Sequence, residues 1–367
     1  MKNELLTRIL LCALLVVMTG AVPSGVTAAD PSVIKADEDV ILFPAAASVT
    51  EGGDGWTVPI HGWIFEREED SVWRKGLVDG LLSWLELGDV SLEDEIFRSR
   101  ASMFLVDNER GKKPVVRVGG RRIIMGASDA NGHFGGEIFL SRTGPVLPSH
   151  GAEWISTAVC ADTECGRIFP GTVQLVPPSG VSVISDIDDT IKISGVTDKK
   201  LLLQNTFLRE YRAVPGMSEM YRRWSDKGAV FHYVSASPWQ LYPAISGFLV
   251  EEGFPSGSFH MKNFRVKDRT FFDLFRSPED AKFRVVQSIM KTFPDRSFIL
   301  VGDSGEKDPE IYAAAARQFP DRIRFILIRD VEGDSSERAR VSNVLKNIPS
   351  EKWAVFDDPE TAEKVPW

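Results

Sequence analysis

Val181-Ser-Val-Ile-Ser-Asp186-Ile-Asp188-Asp189-Thr190 decides how the rest of the chain is read. It opens as a short, β-branched, apolar run, the pattern of a buried strand. It ends in three acids and a threonine. Carboxylates crowded at one strand tip raise one another's pKa, and a divalent cation offsets that repulsion.

Outward from this stretch the grammar on the C-terminal side is strand alternating with helix. Ala229–Val234, Ser297–Val301 and Arg322–Ile328 read as apolar strands. Met217–Lys227, Trp239–Glu252, Pro278–Phe293 and Pro309–Gln318 read as helices between them. That alternation predicts a mainly parallel sheet with helices on both faces, whose site forms at the carboxyl ends of the strands.

The N-terminal side reads differently. Trp56–Phe65 alternates as a strand, and from Phe97 to Val176 short strands are separated by turns such as Gly119-Gly120 and Asp129-Ala-Asn-Gly132. This predicts a mainly-β, sandwich-like domain. Apolar residues between Ser71 and Leu87 recur at helical spacing and predict an amphipathic helix packed on that domain. Its polar face mixes acids with bases, whereas a membrane-surface helix is enriched in bases. His133 reads as a turn or surface residue. Val176-Pro-Pro-Ser-Gly180 is the boundary. The expected organisation is a signal peptide over 1–29, a β domain over 30–176, an α/β domain over 177–335, and a C-terminal helix and tail over 336–367.

Hydrophobic residues at 43% and charged residues at 26% suit a globular chain with a substantial core. A net charge of −9, without a long basic block, argues against general nucleic-acid binding. Lys2 and Arg8 lead into the apolar run Ile9–Met18, and small residues follow at Val26-Thr-Ala28-Ala29. This is the order of a secretory signal peptide, so the expected location is exported, periplasmic or secreted. An uncleaved anchor is the alternative, although the run is short for a span. Cys12 lacks the small residues that precede a lipidated cysteine. Cys160 and Cys165, close together in an exported chain, point to a disulfide. Two sulfurs alone make a poor zinc site.

Three further motifs follow strand ends. Ser235-Ala-Ser237-Pro-Trp239 offers a strand-tip hydroxyl, with Ser235 read as a phosphate contact and Ser237 as a helix cap. Ser277-Pro-Glu-Asp280-Ala-Lys282 starts a helix with Lys282 in its first turns, where a cation is electrostatically disfavoured. Lys282 is therefore either a solvated surface lysine or a catalytic one. Gly302-Asp303, followed by Asp308-Pro309, offers a sharp turn, a projecting carboxylate and a helix cap that can also hold a metal-bound water. Around Lys262, cations alternate with Phe264, Phe271, Phe272 and Phe275, a mixture suited to an anionic head with an apolar tail or to a buried turn with a charged rim.

The order Asp-x-Asp-x-Thr, strand-tip Ser, helical Lys, Gly-Asp resembles the haloacid-dehalogenase superfamily. The fuller wording is narrower. Ser185-Asp-Ile-Asp-Asp-Thr-Ile-Lys192, Ser237-Pro-Trp-Gln-Leu-Tyr-Pro243, Gly253–His260 and Ile299–Glu306 with Asp308-Pro-Glu-Ile-Tyr312 resemble the catalytic domain of actin-patch-type phosphatidate phosphatases and their bacterial relatives. The resemblance covers about 180–335; Gly62–Phe65, Asp107–Arg110 and Asp129–Phe134 extend it less specifically.

The resemblance implies Mg²⁺-dependent hydrolysis of phosphatidate to diacylglycerol and phosphate through an aspartyl-phosphate. It implies Asp186 as nucleophile and Asp188 as acid and base, with Ser235 and Lys282 neutralising phosphoryl oxygens. It further implies Asp186, the Asp188 carbonyl and Asp303 around the metal, to which the local reading adds Asp308 through a metal-bound water, and Asp189 and Thr190 as supports. Lys262 and Trp239 are candidate substrate contacts. A phosphorylated substrate and peripheral membrane contact are the expected partners, and nucleic acid is not. The competing readings are a phosphatase of soluble phosphomonoesters and a phosphate- or lipid-binding module without turnover.

Overall fold

The structure, a computed structural model, describes residues 31–67, 95–142, 153–263, 279–331, 333, 335–359 and 365. The expected signal peptide, the amphipathic helix between Ser71 and Leu87, and the stretch 264–278 lie outside the described residues. Pro31–Trp367 forms one compact unit containing two sheets.

The first sheet has nine strands. They are β1 (Glu38–Leu42), β2 (Ala45–Val49), β3 (Gly55–Glu66), β4 (Asp107–Asn108), β5 (Val115–Val118), β6 (Arg121–Ile124), β7 (His133–Ser141), β8 (Glu153–Cys160) and β9 (Ile168–Leu175). β3 pairs antiparallel with β1, β2, β4 and β7, while β2 turns the sheet by also pairing with β9, in parallel. Val58 and Ile60 of β3 share one core with Val116, Val159 and Val173, so the sheet folds back on itself around that core. Cys160 and Cys165 form a disulfide at the end of β8.

The start of the stretch read as short strands from Phe97 is helix. Glu95–Ser102 forms α1, burying Phe97, Arg100 and Ala101 at the three- and four-residue spacing of one helix face. Arg100 donates to the carbonyls of Thr206 (2.8 Å) and Arg209 (2.7 Å), and its guanidinium lies 3.7 Å from the centroid of the Tyr211 ring. Charge-assisted bonds of this kind tie α1 to the second half of the chain.

The second sheet is wholly parallel, in the order β12-β11-β10-β13-β14-β15. Its strands are β10 (Gly180–Ser185), β11 (Val230–Pro238), β12 (Gly257–Lys262), β13 (Arg296–Asp303), β14 (Ile323–Arg329) and β15 (Trp353–Phe356). The helices are α2 (Lys199–Phe207), α3 (Met217–Asp226), α4 (Tyr242–Glu251), α5 (Glu279–Thr292), α6 (Asp308–Gln318) and α7 (Ser335–Leu345). Neighbouring strand residues point to opposite faces, as the pleat requires. Val183 and Ile299 pack with Met220 and Tyr221 of α3, whereas Ile184 and Leu300 pack with Ile289 of α5 and Val341 of α7. Helices therefore cover both faces of the α/β half. The region read as a C-terminal helix and tail also contributes β15, which completes the sheet beside β14.

The two sheets meet at the edge strand β12. The Phe259 amide donates to the Pro44 carbonyl at 3.2 Å, and the Phe43 and Trp239 rings lie 4.0 Å apart. His133 is buried there, with its Nδ1 3.0 Å from His61 Nε2 and its ring stacked 5.8 Å from Trp63. The expectation of a surface histidine fails because the Asp129 turn feeds His133 straight into β7. The Asp129 carboxylate accepts from the amides of Asn131 (2.7 Å) and His133 (3.1 Å).

Candidate active site

Asp186 and Asp188 sit just past the carboxyl end of β10, the central strand of the parallel sheet by its neighbours β11 and β13. The Asp186 amide donates to Val301 of β13 at 2.9 Å, which fixes the exit from the strand. Asp189 adopts a left-handed φ of 52°. Asp is among the few residue types that tolerate that region, because its side chain bonds locally. Its carboxylate accepts from the amides of Ser194 (2.7 Å) and Val196 (2.6 Å), holding the loop that carries both aspartates. Asp189 is thus the structural support that the sequence suggested.

The two flanking carboxylates have separate surroundings. Asp186 faces Lys282, whose Nζ lies 2.7 Å from Asp186 Oδ1 and 3.4 Å from Glu306 Oε2, and which also pairs with Asp308. Lys282 is buried in the first turn of α5, so the solvated alternative is excluded. The unfavourable position at a helix start is offset by these acids. Burial pulls the Lys282 ammonium down, but Asp186, Asp308 and Glu306 outweigh it and hold the group well above its ordinary range. Burial, reinforced by Glu306 and Asp188, pushes Asp186 up to about 7 against the pull of Lys282. Burial likewise pushes Asp308 up to about 6 and raises Asp303 and Glu306.

Asp188 turns away from this group. Its Oδ2 accepts from Ser235 (3.1 Å) and Ser237 (3.0 Å), and its Oδ1 accepts from Ser194 (2.8 Å) and pairs with Lys192 (2.7 Å). Burial opposes the charge, yet Lys192 and the hydroxyls outweigh it and keep the carboxyl below its usual range. Lys192, fully buried, also lies over the Tyr211 ring at 4.7 Å.

Several sequence expectations change in detail. Ser237 caps no helix: it lies in β11 and bonds Asp188, while the helix begins later, at Tyr242, after a single turn at Trp239–Leu241. Asp308 is the first helical residue, not the cap. Its Oδ2 accepts from the Asp303 amide at 3.3 Å, folding it back over the strand tip. Gly302 is not needed for a turn, since it lies within β13. A Cβ there would sit 2.2 Å from Asp308 Oδ2, so glycine makes room for the carboxylate.

Oxygen atoms of Asp186, Glu306 and Asp308 lie within 4.8 Å of one another, a grouping open to a metal ion. Asp186 Oδ2 and Asp303 Oδ2 are buried without a hydrogen-bond partner. An all-oxygen set with orphaned anionic atoms fits a hard divalent cation. Asp303 uses its other oxygen to accept from the Gly305 (2.7 Å) and Glu306 (3.0 Å) amides. The Asp188 carboxylate, bound to the serines and Lys192, stands outside this set. Glu306 was missed by sequence reasoning, although its place three residues after Asp303 in a strand-tip loop was a usable signal. Lys192 and Ser194 were missed because nothing in their spacing announces a partner for Asp188.

Among the sequence's substrate candidates, Trp239 is buried beside Phe43 and His61, and Lys262 ends β12 opposite Pro238. Neither is part of the carboxylate group.

Residues 181–330 match the family model described as phosphatidate phosphatase APP1, catalytic domain. The chain is 34% identical over 194 residues to phosphatidate phosphatase APP1 of Saccharomyces cerevisiae, covering 52% of this chain and 30% of the yeast protein. It is 31% identical over 207 residues to an uncharacterized protein of Schizosaccharomyces pombe, covering 54% of this chain and 34% of that one. The matched region thus spans about a third of the length of these curated relatives. Residues 181–330 are therefore similar to the catalytic domain of phosphatidate phosphatase APP1.

Proposed function

We propose that the chain is a Mg²⁺-dependent phosphatase that hydrolyses phosphatidate to diacylglycerol and phosphate. The observation that carries this reading is the Lys282 ammonium held between Asp186 and Asp308 at the carboxyl edge of the sheet, beside an orphaned oxygen of Asp186. A nucleophilic carboxylate, a fixed cation and free acceptor atoms are what phosphoryl transfer through an aspartyl-phosphate requires. The yeast relative's name supplies the lipid substrate.

In this reading an oxygen of Asp186 attacks phosphorus, and the bond to the glycerol oxygen breaks. The proton that the glycerol oxygen needs enters with the monoanionic phosphate and passes to it through Asp188; Asp188 then takes a proton from the water that splits the aspartyl-phosphate, and that proton leaves with the released phosphate. Lys192 and the serines favour the ionised form of Asp188, which is the form the second half needs. Ser235 exchanges its bond to Asp188 for one to a phosphoryl oxygen, and Lys282 neutralises another. Asp186, Asp303, Glu306 and Asp308 would hold Mg²⁺, which when bound supplies positive charge to the phosphoryl group. An exported setting suits the Cys160–Cys165 disulfide, since such bonds persist in oxidising compartments.

The test is phosphate release from phosphatidate in mixed micelles, with Mg²⁺ and with chelator, beside Asp186→Asn. Metal-dependent release that disappears in the variant is the expected result. Release from a small phosphomonoester but not from phosphatidate would keep the chemistry and discard the lipid. Full activity in Asp186→Asn would overturn the mechanism.

A further inference from the structure

A cavity of about 490 Å³ opens where the two sheets meet, along the edge strand β12. That volume falls within the range of small-molecule pockets, roughly 300–1,000 Å³. Its apolar wall includes Phe43, Trp239, Phe259, Met261, Ile289 and Phe293.

Three of the polar groups in the wall bond to one another. His232 Nδ1 lies 2.8 Å from Ser258 Oγ, which is 3.2 Å from His260 Nε2. Burial lowers His232 well below its usual range and brings His260 to about 4 and His61 to about 3, so these rings are neutral near pH 7. Among the described lining residues there is no lysine or arginine, and Glu137 is the one with a formal charge. A phosphate group gains nothing in such a wall, whereas an uncharged hydrocarbon loses no solvation by entering it.

The position of the cavity ties it to the catalytic carboxylates. β12 is two strands from β10, and strands lie about 4.8 Å apart, so the two strand ends are separated by roughly 10 Å. The register sets Phe259 level with Tyr233, and Tyr233 level with Ser185. Met261 and Asn263 therefore reach the level of the Asp186–Asp188 loop, while Ser258 lies deeper, toward the amino ends of the strands. Trp239, which forms part of the wall, is two residues beyond Ser237, a partner of Asp188.

From this juxtaposition we infer that the cavity is an acyl-chain site, taking one hydrocarbon chain of the lipid whose phosphate lies at Asp186. The inference rests on the phosphatidate reading and adds where the substrate's apolar part goes. It explains why the β half and the parallel half are packed together at β12: Phe43 from one and Trp239 from the other close the same wall.

Ser288 and Thr292 lie exposed on the α5 side of the cavity, where a tryptophan can be introduced without displacing core. The first measurement is kcat/KM for dioleoyl against dihexanoyl phosphatidate. Ser288→Trp and Thr292→Trp are each expected to lower the long-to-short ratio about tenfold, the effect of roughly 1.4 kcal/mol on one chain. An unchanged ratio in both correctly folded variants overturns the inference. The second measurement needs no turnover: with chelator present, chain-brominated phosphatidate should quench an emission component that Trp239→Phe removes. Equal quenching in the two proteins overturns the inference as well. Hydrolysis of phosphatidate with neither effect discards the cavity and leaves the proposed function standing. Quenching at Trp239 without hydrolysis of phosphatidate discards the function and leaves a lipid site.

Discussion

Asp186 and Asp188 are two residues apart, equally buried in a common loop, and their surroundings are opposite. Around Asp186 acceptors are in surplus: Asp186, Glu306 and Asp308 crowd a single ammonium, and an oxygen of Asp186 and one of Asp303 have no donor. Around Asp188 donors are in surplus: three hydroxyls and an ammonium serve one carboxylate. The first pocket is completed by something positive or by a phosphoryl group that takes over the lysine. The second is complete by itself. One loop can therefore hold an incomplete site for binding and a finished one for handling a proton, because each side chain answers to different neighbours.

The largest expected effect breaks the first pocket. Asp186→Asn removes the proposed nucleophile and should reduce phosphate release at least about a thousandfold, measured at saturating substrate with metal. Lys282→Met leaves the acids without their cation. It should cost about 10²–10³ in kcat, the magnitude of a lost transition-state donor, and the check is kcat with folding confirmed by circular dichroism.

Lys192→Met attacks the second pocket and should act on stability as well as rate. It strands a buried carboxylate, a loss of about 3–5 kcal/mol that denaturant unfolding would read. Adding Asp188→Asn should restore part of that stability, since no charge is then left unpaired. Gly302→Ala is subtler. Its Cβ would meet the Asp308 carboxylate at 2.2 Å, so a loss of about 1–3 kcal/mol is expected, with Asp308 displaced and activity lowered.

The smallest effect sharpens the contrast by its sign. Asp303→Asn removes one charge from the crowded pocket while keeping an acceptor for the Gly305 and Glu306 amides. In chelator it should raise stability by about 1 kcal/mol, by relieving repulsion and supplying a donor. Asp188→Asn, made in the pocket that is rich in donors, should lower stability. Matching signs for the two variants would mean that the pockets do not differ as the hydrogen bonds indicate.

Lys282 shows how far spacing alone reaches. Its place in the motif order marked it, but an ammonium in a first helical turn reads equally as a surface group until the acids that hold it are seen. Ser237 shows the opposite failure. A serine before Pro238 has the local signature of a cap, yet β11 continues through Pro238 and turns its hydroxyl toward Asp188. Phe97–Ser102 opens the stretch whose turn-rich pattern reads as short strands, whereas burial of one face against the other half makes it part of a helix.

The parallel sheet, its two covered faces and the position of the Asp186 and Asp188 motif at a strand tip were legible along the chain. These follow from local periodicity and from the rule that loops at carboxyl ends carry the site. Folding alone sets which lysine serves which aspartate, brings Glu306 into the acidic group, and makes the two sheets enclose a cavity at β12. Those outcomes depend on residues far apart in the chain: Lys282 is 96 residues from Asp186, and Phe43 meets Trp239 across the junction of the two sheets. Spacing along a sequence encodes which way a side chain leaves its own helix or strand, but not which distant side chain will be waiting there.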